Sequence, residues 1–405
     1  MSDAVQSSSR NSTSRRTGRK SPINITGMGA VTGYGWGTKH LWDGFLLGES
    51  AVRLTPGLEG YVDGGAAYLS LITDEGDRRD GPSRFMQAAR FAGREAVNDA
   101  LERGWKPGRV VGLVHSIEAG DIESWSEFYR SGESKVRPKR WVNLLPSTVI
   151  SQFMKEHDFH GPTMSVSAMC ATANAAMITA KSWIDSGVAD DVILLATDLS
   201  GIPQTLRGFS DLGVAVLNSP PLEACRPFQE GSRGFVGGEA AVGMVLSGRT
   251  TGSYASVLGG AMTMDAYNLV GVAPDLQEMF RCFRLAMEDA GADPEDVAYM
   301  NAHGPGTGMC DAAEAKVLDE LFPDARGIFS VKPLVGHCQS AAAAVETLAT
   351  LYAFQTGYIP APPQVAPGHP KLVNGRTPRM PGLMVKSSIG MGGYNTVVIL
   401  DEPHD

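Results

Sequence analysis

The chain has 405 residues, enough for two domains or one large, internally duplicated one. Its net charge of -9 argues against a nucleic-acid partner, because such a surface repels polyphosphate, and no run of about 18 uncharged apolar residues offers a membrane span. Five cysteines (Cys170, Cys225, Cys282, Cys310, Cys338) form no CxxC pair and no metal-ligand spacing, so no metal is expected, and their odd number points to a reducing, cytoplasmic setting.

In chain order, residues 1–21 open with MSDAVQSSSRNSTSRRTGRK, Ser/Arg-rich and almost free of apolar side chains, which reads as a disordered leader. A transit peptide fits that composition but lacks an amphipathic stripe, and a basic partner-binding arm is the third reading. INITGMGAVTGYG then starts an ordered strand and turn. Phe85, Ala89, Ala92, Ala96 and Leu101 fall near one face of a helix over 83–101. VVGLVHS (110–116) reads as a buried strand, and Thr163 to Ala168 as another. A helix follows from Ala171 to Ser186, stopped by Gly187, and DVILLATD (191–198) is a further buried strand. Residues 200–240 are rich in Gly and Pro and are expected to form a loop capping a site. The rhythm then returns: helix Leu276–Ala290, strand 297–304, helix Asp311–Phe322, strand 327–331, a long helix ending at Gly357, and two strands about the bend in LMVKSSIGMGGYNTVVIL. Alternating strands and helices with continuous apolar strands define an α/β fold with buried, mainly parallel sheets.

Cys170 lies where a strand gives way to a helix, and helix-terminal amides with the dipole favour a nucleophilic thiolate there. The competing reading is a buried structural cysteine. His303 in NAHGPGTG and His337 in PLVGHCQS occupy similar strand-to-helix junctions, where α/β proteins bind ligands. Three reactive side chains at such edges can converge on one pocket. His115, His157 and His369 lack that context and read as structural or solvent-facing. Asp311 and Glu314 fit a D-x-x-E helix start, and Lys332 alone reads as a loop lysine.

Seven segments, in order over residues 22–402, resemble the β-ketoacyl-acyl-carrier-protein synthases of the thiolase superfamily, elongating branch. They are ITGMGAVTGYG, SRFMQ, SVSAMCATANAA around the cysteine, CRPFQEGSRGFVGGEAA, NAHGPGTGMCDAAEAK, SVKPLVGHCQSAAAAVE and SSIGMGGYN. The resemblance implies a thiolase-like fold: two similar βαβαβαββ halves in five αβαβα layers, residues 22–250 carrying the cysteine and 251–405 both histidines. It implies Cys170 as acyl acceptor, His303 and His337 as donors to the thioester of a malonyl-carrier protein, Lys332 as a supporting cation and Glu314 as a carboxylate ordering it, beside Asp311. Met391, with Gly392 and Gly393, would gate the acyl pocket, the amides of Cys170 and Met391 would hold an oxyanion, and Thr307 would touch the pantetheine arm. No free cofactor is implied, only the phosphopantetheine of the acyl-carrier protein. The expected partners are that carrier and a second subunit, as a homodimer or with a chain-length-factor-like relative. Arg137, Lys139 and Arg140 are candidates for a basic carrier patch.

The departures bear on substrate. Pro305 stands where the pattern has threonine, Met391 where phenylalanine is common, Gln229 and Ser232 where aspartates are usual, and Gln339–Ser340 where Gly–Ala is usual. They suggest polyketide-type over housekeeping fatty-acid synthesis. The retained cysteine and paired histidines speak against a non-catalytic subunit, and GMGGYN in place of C-x-G against a degradative thiolase. An acyltransferase that uses Cys170 without condensation is the remaining alternative.

Overall fold

The computed structural model describes residues 21–73, 76–132, 137–249 and 252–403. All but the last residue of the expected leader therefore lies outside the described residues. Among the described residues the central sheet has eleven strands: the two-residue strand Gly35–Trp36, which pairs only with β1, and ten that run across it, β1 (Ile23–Thr32), β2 (Val111–Ser116), β3 (Thr163–Val166), β4 (Asp191–Asp198), β5 (Ala240–Ser247), β6 (Ala255–Met264), β7 (Val297–Asn301), β8 (Gly327–Phe329), β9 (Leu383–Gly390) and β10 (Tyr394–Asp401). Their spatial order is β8-β7-β9-β10-β6-β1-β5-β4-β2-β3. Reading outward from the middle, the two halves are the same arrangement of five strands. In each, the first three outer strands pair in parallel and the next two pairings are antiparallel. A short pairing of β1 with β6 joins the halves.

The sheets are thus mixed, where continuous apolar runs suggested mainly parallel ones. The reason is burial: helices cover both faces, so antiparallel β4, β5, β9 and β10 are buried as fully as parallel strands and read alike. Two stretches are exposed: the edge strand β3 at Thr163, Met164 and Ser165, and the far end of β6 at Met262 and Met264.

Helix α1 (Arg84–Glu102) starts at Ser83, whose hydroxyl accepts from the Met86 amide, and packs on β1, β4 and β5. The glycines of ITGMGAV let it approach: a Cβ on Gly27 would stand 2.2 Å from the Ala96 carbonyl, and one on Gly29 2.1 Å from that of Ala92. On the opposite face of the sheet lie α2 (Thr172–Asp185) and α5 (Ala342–Thr356), which contact each other. Helix α5 is buried from Ala342 to Ala353, so its sequence is apolar nearly all round, broken by Glu346, Thr347 and Thr350. Helix α3 (Gln277–Ala290) packs on β6 and β10, and with α4 (Gly308–Leu321) it shares the core of the second half. The stretch from 200 to 240 is not all loop, since Pro203–Asp211 is helical.

Candidate active site

Each central helix is entered through a tight elbow. Met169, at φ 53°, opens a turn of 3-10 helix, Met169–Ala171, that leads into α2; Gln339, at φ 43°, opens the matching turn, Gln339–Ala341, that leads into α5. Neither is glycine, so both elbows are strained and held by their surroundings. The elbow of each half packs against the fourth strand of the other: Met169–Ala171 on β9, and Gln339–Ala341 on β4. Ser388 of β9 donates to the Cys170 carbonyl (2.9 Å), and Ser340 donates to Asp198 at the end of β4 (2.7 Å).

This exchange brings Cys170, His303 and His337 together. All three are buried, and the cysteine sulfur and a nitrogen of each histidine lie within 4.8 Å of one another. The two imidazoles meet edge to face at 5.3 Å. Burial, reinforced by the charge of Lys332, holds both histidines well below the usual imidazole range, so both are neutral at pH 7. Their tautomers follow from their neighbours. Lys332 Nζ lies 3.2 Å from His303 Nδ1, and the Gln339 amide donates to His337 Nδ1 (3.1 Å). With Nδ1 accepting in each, the proton sits on Nε2. Each ring is therefore set to donate one hydrogen bond.

A cysteine and two histidines this close also match the donor set of a zinc site. A zinc-ligating histidine, however, gives its second nitrogen's proton to an acceptor, whereas here both Nδ1 atoms face donors. The surroundings are built for Nε2–H and against a metal ligand.

Lys332 is fully buried and also donates to the His303 carbonyl and to Glu346. Burial alone would depress its pKa, but the Glu346 carboxylate, through charge and hydrogen bond, carries it above the ordinary lysine value. It is an ammonium. The carboxylate that orders it is thus Glu346 of α5. Glu314 does a different job: its oxygens accept from the amides of His303 (2.8 Å) and Gly304 (2.7 Å) and from Ser387 (2.6 Å), fixing the histidine's turn. Asp311 accepts from the amides of Phe228 (3.0 Å) and Gly306 (3.1 Å). Neither carboxylate caps its own helix, because α4 begins earlier, after Thr307. Lys386, unremarked in the sequence, completes the cluster, with Nζ 2.7 Å from Glu346 Oε2.

The expectation of a ready thiolate is overturned. Burial pushes the Cys170 thiol up to about 12, against the opposing pull of Lys332 and of the Met391 amide that points at the sulfur. At rest it is a thiol.

A cavity of about 70 Å³ lies over these groups, walled by Val214, Phe235, Val270, Ile389 and Met391 among others, with Pro305 and Thr307 on one side. Gly393 also lines it; Gly392 does not, and instead donates its amide to the Leu269 carbonyl (2.9 Å). Asp265 accepts from Asn395 (2.6 Å), and its amide donates to the Gly393 carbonyl (2.8 Å). The glycine bend is thereby latched to loop 265–273. Gln229 and Ser232 stand apart from the cavity: Gln229 accepts from the Val365 (2.7 Å) and Ala366 (3.0 Å) amides, and Ser232 donates to the Gly306 carbonyl (2.8 Å). His115 is buried beside Thr197, 3.2 Å away, and His369 pairs with Asp319 on the surface.

The duplicated sheet and its exchanged elbows place the molecule in the thiolase-like class. The pattern described as "Beta-ketoacyl synthase, N-terminal domain" matches residues 20–251, and "Beta-ketoacyl synthase, C-terminal domain" matches 254–365; the chain belongs to the β-ketoacyl synthase family. The chloroplastic 3-oxoacyl-[acyl-carrier-protein] synthase I of Hordeum vulgare is 29% identical, over 95% of this chain and 90% of its own. The 3-oxoacyl-[acyl-carrier-protein] synthase 2 of Staphylococcus aureus is 28% identical, over 93% of this chain and 99% of its own. Among solved structures, the ishigamide ketosynthase/chain length factor superposes with TM-score 0.82 at 24% identity, over 95% of this chain and 99% of that one. A type II polyketide ketosynthase, solved with its acyl-carrier protein, superposes with TM-score 0.81 at 23% identity, over 95% of this chain and 100% of that one. The protein is an acyltransferase-class condensing enzyme.

Proposed function

We propose that the protein joins an acyl chain held on Cys170 to the two-carbon unit of a malonyl-carrier protein, with loss of carbon dioxide. The observation that carries this reading is the meeting of one thiol and two Nε2–H donors within 4.8 Å. Cys170 Sγ attacks the incoming acyl thioester; the new carbon–sulfur bond replaces the one to phosphopantetheine, and the thiol proton leaves with the departing sulfur. The malonyl thioester oxygen then accepts from His303 and His337. As the bond to the carboxylate breaks, its electrons form an enolate that those two donors stabilise. The enolate carbon attacks the acyl-Cys170 carbonyl while the amides of Cys170 and Met391 hold the oxyanion. Collapse expels the Cys170 thiolate, which takes a proton from solvent.

Pro305 and Met391 line the cavity in place of the pattern's threonine and phenylalanine, and this favours a specialised, polyketide-type substrate. The carrier's acidic surface would dock at a groove of about 620 Å³ that gathers Arg78, Arg79, Arg84 and Lys139 beside Glu123 and Glu127, with Arg79 paired to Asp77 and Arg84 to Glu123 and Glu239. Arg137 and Arg140 flank Lys139 in sequence and extend the candidate patch. The repeated strand order supports a division into halves at 22–250 and 251–405. A second subunit, the same chain or a related one, would cover the exposed edge strand β3. It would also cover the helix Ile122–Ser131, which buries no residue and stacks Trp125 on Tyr129 at 5.8 Å.

The test separates the two stages. Intact-protein mass spectrometry with a panel of acyl-carrier proteins should show loading that Cys170→Ala abolishes. His303→Ala should still load but yield no condensed product. Loading that survives Cys170→Ala refutes the assignment.

A further inference from the structure

Gln339 faces both halves of this chemistry. Its backbone amide donates to His337 Nδ1 (3.1 Å), and its side-chain Oε1 lies 3.8 Å from Cys170 Sγ, within reach of a thiol donor. Its strained φ has a structural origin, since Met169 shows the same feature at the equivalent elbow, so the strain says nothing about the side chain. The carboxamide does. Oε1 of Gln339 is placed to take the Cys170 S–H, although the helix entered at this elbow is α5 and not the nucleophile's own. A hydrogen bond accepted from a thiol stabilises the protonated form and fixes the direction of the sulfur lone pairs.

We propose that Gln339 is a positioning residue for the nucleophile: its carboxamide oxygen holds the resting Cys170 as an aimed thiol until a carrier-borne thioester takes its place. This rests on the reading of Cys170 as acyl acceptor. Two consequences run in opposite directions. Removing the carboxamide frees the proton, so the sulfur becomes more reactive towards a small unselective alkylating agent. Loading from the carrier slows at the same time, because the sulfur is no longer aimed.

The experiment follows iodoacetamide alkylation of Cys170 against pH, with the modified peptide identified by mass, in the full-length protein. Gln339→Ala and Gln339→Gly should each raise the alkylation rate at neutral pH about three- to tenfold, the worth of one neutral hydrogen bond, and lower kcat/KM for acyl loading severalfold. Glycine relieves the backbone strain and keeps the amide on His337, so equal behaviour of the two variants assigns the effect to the side chain. Gln339→Glu keeps the acceptor but sets a negative charge against the thiolate, so its alkylation should slow and its midpoint rise. Alanine and glutamate moving alkylation in the same direction, or neither moving it, overturns the proposal. So does a glycine variant that behaves like the parent. Because alkylation requires no carrier protein, these outcomes stay distinct from failure of the condensation reading, which would appear as loading that persists in Cys170→Ala.

Discussion

Replacing Glu346 by glutamine tests the chain of cause from a buried carboxylate to a histidine proton. Glu346 is 1% exposed and lies between two buried amines: Lys332, which its carboxylate carries above the ordinary lysine value, and Lys386, which burial holds below it. At the 2.7 Å separation from Lys386, one such pair is worth about 6 kcal/mol of gross attraction at an effective dielectric of about 20. Desolvation offsets much of that, and breaking a buried pair typically costs ~3–5 kcal/mol. Without the carboxylate, burial dominates and Lys332 sheds its proton. A neutral amine can accept a hydrogen bond, so His303 is free to move its own proton to Nδ1 and lose its donor at Nε2. Loss of one such donor lowers the rate about 10²- to 10³-fold. Loading on Cys170 needs no His303 donor and should stay near the parent rate. The assay is paired: carbon dioxide release from malonyl-carrier protein, and acyl loading by mass spectrometry, on protein shown by circular dichroism to be folded. The double variant Glu346→Gln/Lys386→Met leaves one fewer unpaired buried amine and should restore folding where the single variant fails. Decarboxylation at the parent rate in a folded Glu346→Gln protein would refute the tautomer argument.

Three further outcomes are expected. Burial pushes Asp311 up to about 7, against the amides of Phe228 and Gly306. Its folded pKa is raised, so its contribution to stability falls as pH rises from the ordinary carboxylate range near 4 through about 7. Asp311→Asn should therefore gain on the parent by up to ~1.4 kcal/mol per pH unit between about pH 5 and 7 and then level off, and a difference constant with pH in denaturant melts contradicts this. Met391→Ala enlarges a cavity of only about 70 Å³, and each further methylene it seats should favour the longer acyl chain about fourfold, from ~0.8 kcal/mol per group, in mixed-carrier loading assays; an unchanged length preference removes Met391 as the gate. If the proposed dimer forms through β3, Met164→Lys puts a charge on that exposed edge strand and should shift sedimentation towards monomer, while a parent and variant that sediment alike move the interface elsewhere.

The sequence located the elements well because their signals are local. Gly187, Gly291 and Gly357 each follow a helix end and hold φ near 60–72° in the structure, and β4 is as buried as its apolar run suggests. Strand direction was not legible, since burial on both faces erases the alternation that marks antiparallel pairs. Cys170, His303 and His337 drew notice by their strand-to-helix junctions and the other candidates by the family resemblance, but the sequence did not disclose their electrostatics. Cys170 sits at a helix start, which argues for a thiolate, yet the cavity that makes the site useful also removes water and raises the thiol. Glu346 was visible only as a charge interrupting an apolar stretch. A lone acid in a run such as AAAAVETLATLYAF implies a buried cationic partner. Its partners, Lys332 and Lys386, lie on other elements, and only the fold reveals the match.

The duplicated architecture explains why the chemistry lies between the halves. Each half brings one elbow to the fourth strand of its counterpart, so two strained turns lie side by side in the buried centre. The first elbow carries Cys170. At the same position in the second stands Ser340, whose hydroxyl is bound to Asp198 and is thereby removed from reaction. A protein with one nucleophile and two matching elbows has a spare position from which to act on that nucleophile, and Gln339 occupies it. The second half also supplies both imidazoles, so neither half alone holds a complete set of reacting groups. The packing of β4 against Gln339–Ala341 and of β9 against Met169–Ala171 is therefore what holds the thiol beside the imidazoles.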